Sequence, residues 1–154
     1  MAHWLLKTEP ETFGIDHLAA LPKRRSTWDG VRNYQARNFL RDGVRRNDLA
    51  FMYHSSCAVP GIVATLRVVR AAYPDATAFA RDNEHYDPAS DPAAPRWFTI
   101  DVQLQRRFKR VITLEELRAH AGGKLRGMTL LQRGSRLSVM PVSDAHWRFI
   151  LSLE

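Results

Sequence analysis

Two rhythms of apolar residues run along the chain and divide it into elements. HWLLK (residues 3–7) is a short apolar run stopped by Glu9-Pro10, the mark of an opening strand. IDHLAAL (15–21) predicts a brief helix ended by Pro22. From Asn33, a good N-cap, Ala36, Phe39 and Leu40 recur at helical spacing until Gly43, which predicts a second helix. DLAFMYHS (48–55) and GIVATLRVVR (61–70) are strand-like and are split by Pro60-Gly61. WFTIDVQLQRRF (97–108) alternates in the β manner, and RLSVMPV (136–142) predicts a last strand.

Two further helices are marked by their caps. In ITLEELRAHAGG, Thr113 and Glu116 form a capping box, Ile112 and Leu117 a staple, and Gly122-Gly123 the stop. SDAHWRFILSL closes the chain with a helix capped by Ser143, on whose apolar face Trp147 is expected in the core. Residues 74–96, rich in Asp, Ala and Pro, predict an excursion with one helical turn near Ala76–Ala80; structureless segments of that length are often lids or binding loops. Strands with mostly local connections and scattered helices predict an α+β fold, with a curved antiparallel or mixed sheet and helices packed outside. Pattern alone does not decide whether the sheet closes into a barrel.

The length of 154 residues suits one domain with a substantial core. An excess of 23 Lys+Arg over 16 Asp+Glu, a net charge of +7, favours polyanionic partners and nucleic acid first. With Cys57 as the single cysteine, no intrachain disulfide and no cysteine-based zinc cluster can form, which suits a reducing compartment. The N-terminus lacks the regions of a secretory signal. The most apolar stretch, residues 49–69, is broken by His54, Pro60, Gly61 and Arg67 and is too polar to span a bilayer. Cytoplasmic placement is therefore the expectation.

Catalytic chemistry finds little support. His54 precedes Cys57 by three residues, but nucleophile and base are usually distant in sequence, and an inert buried thiol is expected before an apolar run. Glu9, Asp29, Asp75 and Asp87 offer no spacing that singles out a carboxylate pair. His85 and Asp87 share a strand face without a further metal ligand. Phosphate-cradling glycine motifs are missing, so no cofactor and no metal is implied.

Recognition chemistry is concentrated instead in WDGVRNYQA (Trp28 to Ala36). A nucleobase needs a stacking surface, worth roughly 1–3 kcal/mol per base. It also needs amides for its polar edge and cations for the adjoining phosphates. Trp28 supplies a π-face, Asn33 and Gln35 the amides and Arg32 a cation, with Tyr34, Tyr53 and Trp97 as further aromatic walls. Trp28 stands in a polar loop without apolar neighbours in sequence, so it is a residue for either ligand or core. Two basic runs are candidate phosphate contacts: Lys23, Arg24 and Arg25, and then Arg106, Arg107, Lys109 and Arg110. Either run, alone, is more often a solvated face.

HWLLKTEP, TWDGVRNYQARNFLR, FMYHSS, YPDATAF, YDP, PRWFTIDV and SRLSVMPVS occur in an order and spacing that resembles the EVE domain family over nearly the whole chain. The resemblance implies a PUA-like fold, a mixed or antiparallel β-barrel with surrounding helices, related to YTH and ASCH domains. It further implies a pocket for a modified base in nucleic acid, with modified cytosine in DNA favoured and modified RNA bases the other option, and no catalytic residues. Carried onto this chain, the pocket would draw on Lys7, Thr8, Glu9, Trp28, Val31, Arg32, Asn33, Gln35, Tyr53, His54 and Ser55, with Trp97 and Ser138 beside them. Because a buried methyl contributes only about 1 kcal/mol, the polar residues predict a preference for oxidised over simple methyl marks. An enzyme acting on a nucleotide or RNA base, and a sensor of a free nucleoside or anion, are the alternatives.

Overall fold

The computed structural model describes residues 1–154. Six strands build one mixed sheet: β1 (His3–Thr8), β2 (Arg25–Thr27), β3 (Leu49–His54), β4 (Gly61–Pro74), β5 (Phe98–Thr113) and β6 (Val139–Val142). Their order is β2-β5-β4-β3-β1-β6. β1 and β3 run parallel, with Thr8 opposite His54, and every other pair is antiparallel. A parallel pair needs a crossover, and the chain between Thr8 and Leu49 makes it. That crossover carries α1 (Pro10–Phe13), α2 (Ile15–Ala20), β2 and α3 (Tyr34–Asn38), the last continued by a π-helical turn, Phe39–Gly43. α4 (Leu114–Ala119) and α5 (Asp144–Leu153) follow β5 and β6.

The apolar run of β1 is buried on both faces because helices cover both sides of the sheet. Trp4 and Leu6 enter a core shared with Leu18 of α2, Ala36 of α3 and Leu40. Leu5 points the other way, into a core with Leu117 of α4 and Trp147 and Ile150 of α5. β3 repeats the alternation, with Ala50 and Met52 on the first side and Phe51 and Tyr53 on the second. Trp147 is a core residue, as its place on an amphipathic helix predicts: it stacks on Phe51 at 3.9 Å between ring centroids.

The β4–β5 ladder shifts register between Ile62 and Ala64, Thr65 and Leu66, Val68 and Arg70, and Arg70 and Tyr73. Each such irregularity bends a strand and adds twist, so the sheet curls until the turn Phe39–Gly43 touches β4, β5 and β6 together. The edge strands β2 and β6 do not pair with each other. The sheet is therefore strongly curved but open, and the barrel expected from the resemblance is not closed by hydrogen bonds. β2 is short, which leaves little unpaired edge.

Local expectations fail in instructive places. Pro10 does not merely stop β1 but opens α1, since proline suits the first helical turn. The helix expected over 33–43 is capped by the Asn33 side chain, which accepts from the Ala36 N–H at 2.9 Å, but it widens into the π turn at Phe39. Only half of the capping box at α4 forms. Thr113 Oγ1 accepts from the Glu116 N–H at 3.1 Å, while the Glu116 carboxylate is taken by Arg110 at 2.7 and 2.9 Å. The run Pro22–Arg24 makes a 3-10 turn with Lys23 and Arg24 at positive φ, and Arg25 starts β2.

Candidate functional site

A cavity of about 700 Å³ opens at the end of the sheet where the parallel strands β1 and β3 both finish. Its volume lies within the range of about 300–1,000 Å³ usual for small-molecule sites. Five stretches of chain line it: Lys7, Thr8 and Glu9 with Thr12 and Phe13; Ser26 to Val31; Ser55; Asn83 to His85; and Arg136 to Ser138. Backbone pairing fixes the walls. Ser55 N–H donates to Thr8 O at 2.9 Å, Lys7 N–H donates to Ser138 O at 2.9 Å, and Trp28 N–H donates to Ile100 O at 2.8 Å.

Lys7, Thr8, Glu9, Trp28, Val31, Ser55 and Ser138 are thus gathered around one hollow. Trp28 is also core: it is 5% exposed and meets Phe13 edge-on at 6.1 Å. Its sequence neighbours are polar, and the residues that bury it come from α1 and the first core instead. Thr8 Oγ1 donates to Phe13 O at 2.7 Å, keeping its lone pairs free to accept. Burial lowers the pKa of Lys7, which forms no ion pair within 4 Å.

The other residues named from the sequence lie elsewhere. Arg32 is consumed by the excursion: it donates to Asp75 Oδ2 at 3.1 Å, Thr77 Oγ1 at 3.2 Å and His85 O at 2.8 Å. It therefore fastens the cavity's rim from behind. Asn33 and Gln35 border a second hollow of about 510 Å³. Tyr53 lines a third, of about 430 Å³, under the Lys7 amine, and burial raises its pKa. His54 Nε2 accepts from the Ile15 N–H at 3.1 Å, and burial lowers its pKa. Trp97 stacks on Tyr34 at 4.9 Å and donates through Nε1 to Asp87 Oδ2 at 2.6 Å, so these two rings wall each other rather than the cavity.

The two basic runs part company. Lys23, Arg24 and Arg25 are exposed and lead directly into Ser26 and Thr27 at the cavity's edge. Arg106, Arg107 and Arg110 are instead paired with Glu154, Asp16 and Glu116, which leaves only Lys109 of that run without an ion pair. Those arginines belong to a neutralised face. Conversely, Arg136 and Leu137 inside SRLSVMPVS, and Asn83 and Glu84 inside the excursion, line the cavity without a signal in the sequence that singles them out, and His85, a candidate there only for metal binding, joins them. The excursion is tied down by its own aspartates. Asp75 accepts from Thr77, Gly30 and Arg32, and Asp87 from Trp97 and the Ala89 N–H.

No helix is long and apolar enough to cross a membrane. The EVE domain family model matches residues 2–153. Thymocyte nuclear protein 1 of Mus musculus is 48% identical, over 99% of this chain and 73% of its own length. A crystal structure of human THYN1 protein in complex with 5-methylcytosine containing DNA superposes with a TM-score of 0.95 at 45% identity, over 99% of this chain and 97% of that one. A Pseudomonas syringae protein superposes at 0.93 with 43% identity, over 99% of both chains. The relatives' name, thymocyte nuclear protein 1, overturns the cytoplasmic placement expected from cysteine content and the N-terminus. Matched from end to end in sequence and in three dimensions, the chain belongs to the EVE domain family.

Proposed function

We propose that this protein reads a modified cytosine in DNA by holding the base in the cavity beside Trp28, and leaves it chemically unchanged. One observation carries this: the fold matches, at a TM-score of 0.95, a human protein solved in complex with 5-methylcytosine containing DNA. The cavity is chemically suited to the task. Trp28 and Val31 offer an apolar wall for a flat ring. Carboxylates such as Glu9 and Asp29 complement the exocyclic amino group that cytosine presents and thymine lacks. Extruding a base from the duplex costs a few kcal/mol. One aromatic wall, at about 1–3 kcal/mol, is a fraction of what is needed, so cations on the flanking phosphates have to contribute.

Titration of matched duplexes, one with a single 5-methylcytosine and one without, tests the reading, with modified RNA strands as the comparison arm. Tighter binding of the marked DNA is expected. Mass spectrometry of the nucleosides after incubation should return the input unchanged; equal affinity for all duplexes, or an altered nucleoside, would sink the proposal.

A further inference from the structure

The strap Gln132–Ser138 stands between three hollows. Arg136 borders the first and second, Arg133 the second and third, and Lys7 the first and third. The third hollow, about 430 Å³, brings together Lys7, Arg118 and Arg133, and no carboxylate lines it. None of these three cations makes an ion pair within 4 Å. Like charges gathered without a counter-charge raise the local potential and favour an anion there. A second observation is independent of charge. The Ser135 hydroxyl, on the wall between the second hollow and the third, is buried and has no hydrogen-bond partner. Such groups are rare because leaving one unsatisfied is costly. Beneath the cations lie Tyr53, Leu114, Leu130 and Leu131, an apolar floor against which sugar or base can rest.

We infer that the third hollow is a phosphate site: it takes the backbone phosphodiester next to the base in the principal cavity, through Lys7, Arg118, Arg133 and the Ser135 hydroxyl. This rests on the base-holding role proposed above, since Lys7 joins the two spaces. Arg118, at the end of α4, and Arg133, on the strap, replace the arginines of the 106–110 run, which are already paired with carboxylates. The ligand chemistry is that of a phosphate ester, and the strand of DNA is the source.

The test compares the wild type with R118Q/R133Q and R106Q/R107Q double variants, each first shown by thermal melting to be folded. Fluorescence anisotropy with methylated and unmethylated duplexes is followed over a salt series. R118Q/R133Q should lose at least tenfold in affinity for both duplexes at moderate salt and flatten the slope of log K against log salt by about 0.9, the contribution of one phosphate contact. R106Q/R107Q should keep the wild-type slope. Ser135→Ala should weaken both duplexes several-fold without changing the slope. An unchanged slope in R118Q/R133Q would overturn the assignment. So would inorganic phosphate that saturates the protein without competing with DNA. If the slope flattens but the wild type binds both duplexes equally, the phosphate site stands and the base-holding role falls.

Discussion

His85 occupies the space that a side chain on Gly30 would need. A Cβ placed on Gly30 would lie 2.5 Å from His85 Nε2, and the backbone there has φ of +78°. The central loop and the 74–96 excursion thus close on each other at the cavity's rim, with the Gly30 N–H donating to Asp75 at 2.9 Å. Gly30→Ala should therefore lose both the left-handed turn, about 1–2 kcal/mol, and the seat of His85. His85→Ala in the same chain relieves the collision but not the strained φ. Thermal melts check this: Gly30→Ala should melt lower than the double variant, and equal melting points would show that the contact carries no energy.

Asp75 sets an acid limit on the same rim. Burial pushes its pKa up, but hydrogen bonds from Thr77, Gly30 and Arg32 outweigh burial and hold it below the ordinary carboxylate value of 3.8. A depressed folded pKa means stability that is fully present above the unfolded value and is lost as pH falls through the folded one. Asp75→Asn should cost about 1–3 kcal/mol at neutral pH by leaving buried donors poorly matched. Its deficit against the wild type should shrink below about pH 3.8. Urea unfolding at pH 7 and pH 2.5 reads both; an equal deficit at the two pH values would contradict the pairing.

Trp28 cannot be removed as a mere ligand contact. It is nearly fully buried among Phe13, Val31 and the first core, so Trp28→Ala should destabilise the fold by about 3–5 kcal/mol. Trp28→Phe keeps a flat wall at smaller cost, and should leave a folded protein with weakened binding of marked DNA. Chemical denaturation of the alanine variant is the check. Wild-type stability would place the indole at the surface.

The choice of mark follows from the hydroxyls. Burying a methyl is worth about 0.8 kcal/mol, roughly fourfold in affinity. Thr8, Ser55 and Ser138 line the cavity, whereas Asn33 and Gln35, the amides first expected to read the mark, face the second hollow. A hydroxymethyl or formyl group able to bond with one of those hydroxyls should exceed the methyl mark by tenfold or more. Thr8→Val or Ser138→Ala should reduce that advantage towards the methyl level. Matched duplexes carrying each mark decide it, and indistinguishable affinities would remove the polar handle.

Five of the six strands, the Asn33, Thr113 and Ser143 caps and the core role of Trp147 were legible because each depends on spacing within one stretch of chain. The first half of the cavity was legible for a similar reason, since the KTE end of β1 and the WDGV loop carry their chemistry in consecutive residues. Arg32 shows where that logic stops. Its type is right for a ligand, but its guanidinium is spent on Asp75, Thr77 and the His85 carbonyl, residues more than forty positions away. The 106–110 run fails likewise, because only folding brings Glu154, Asp16 and Glu116 beside its arginines.

By itself, then, the order of residues determined most of the segments that extend, where α2 to α5 begin, and that a basic chain carries an aromatic, amide-rich loop. The tertiary structure decided which of those charges are free, that Trp28 is a wall as well as core, and that the strap at 132–138 parts three hollows. The physical reason is range. Caps and alternation are satisfied by neighbours a few residues away, whereas neutralising a cation or burying an indole depends on groups that curvature of the sheet brings from far along the chain.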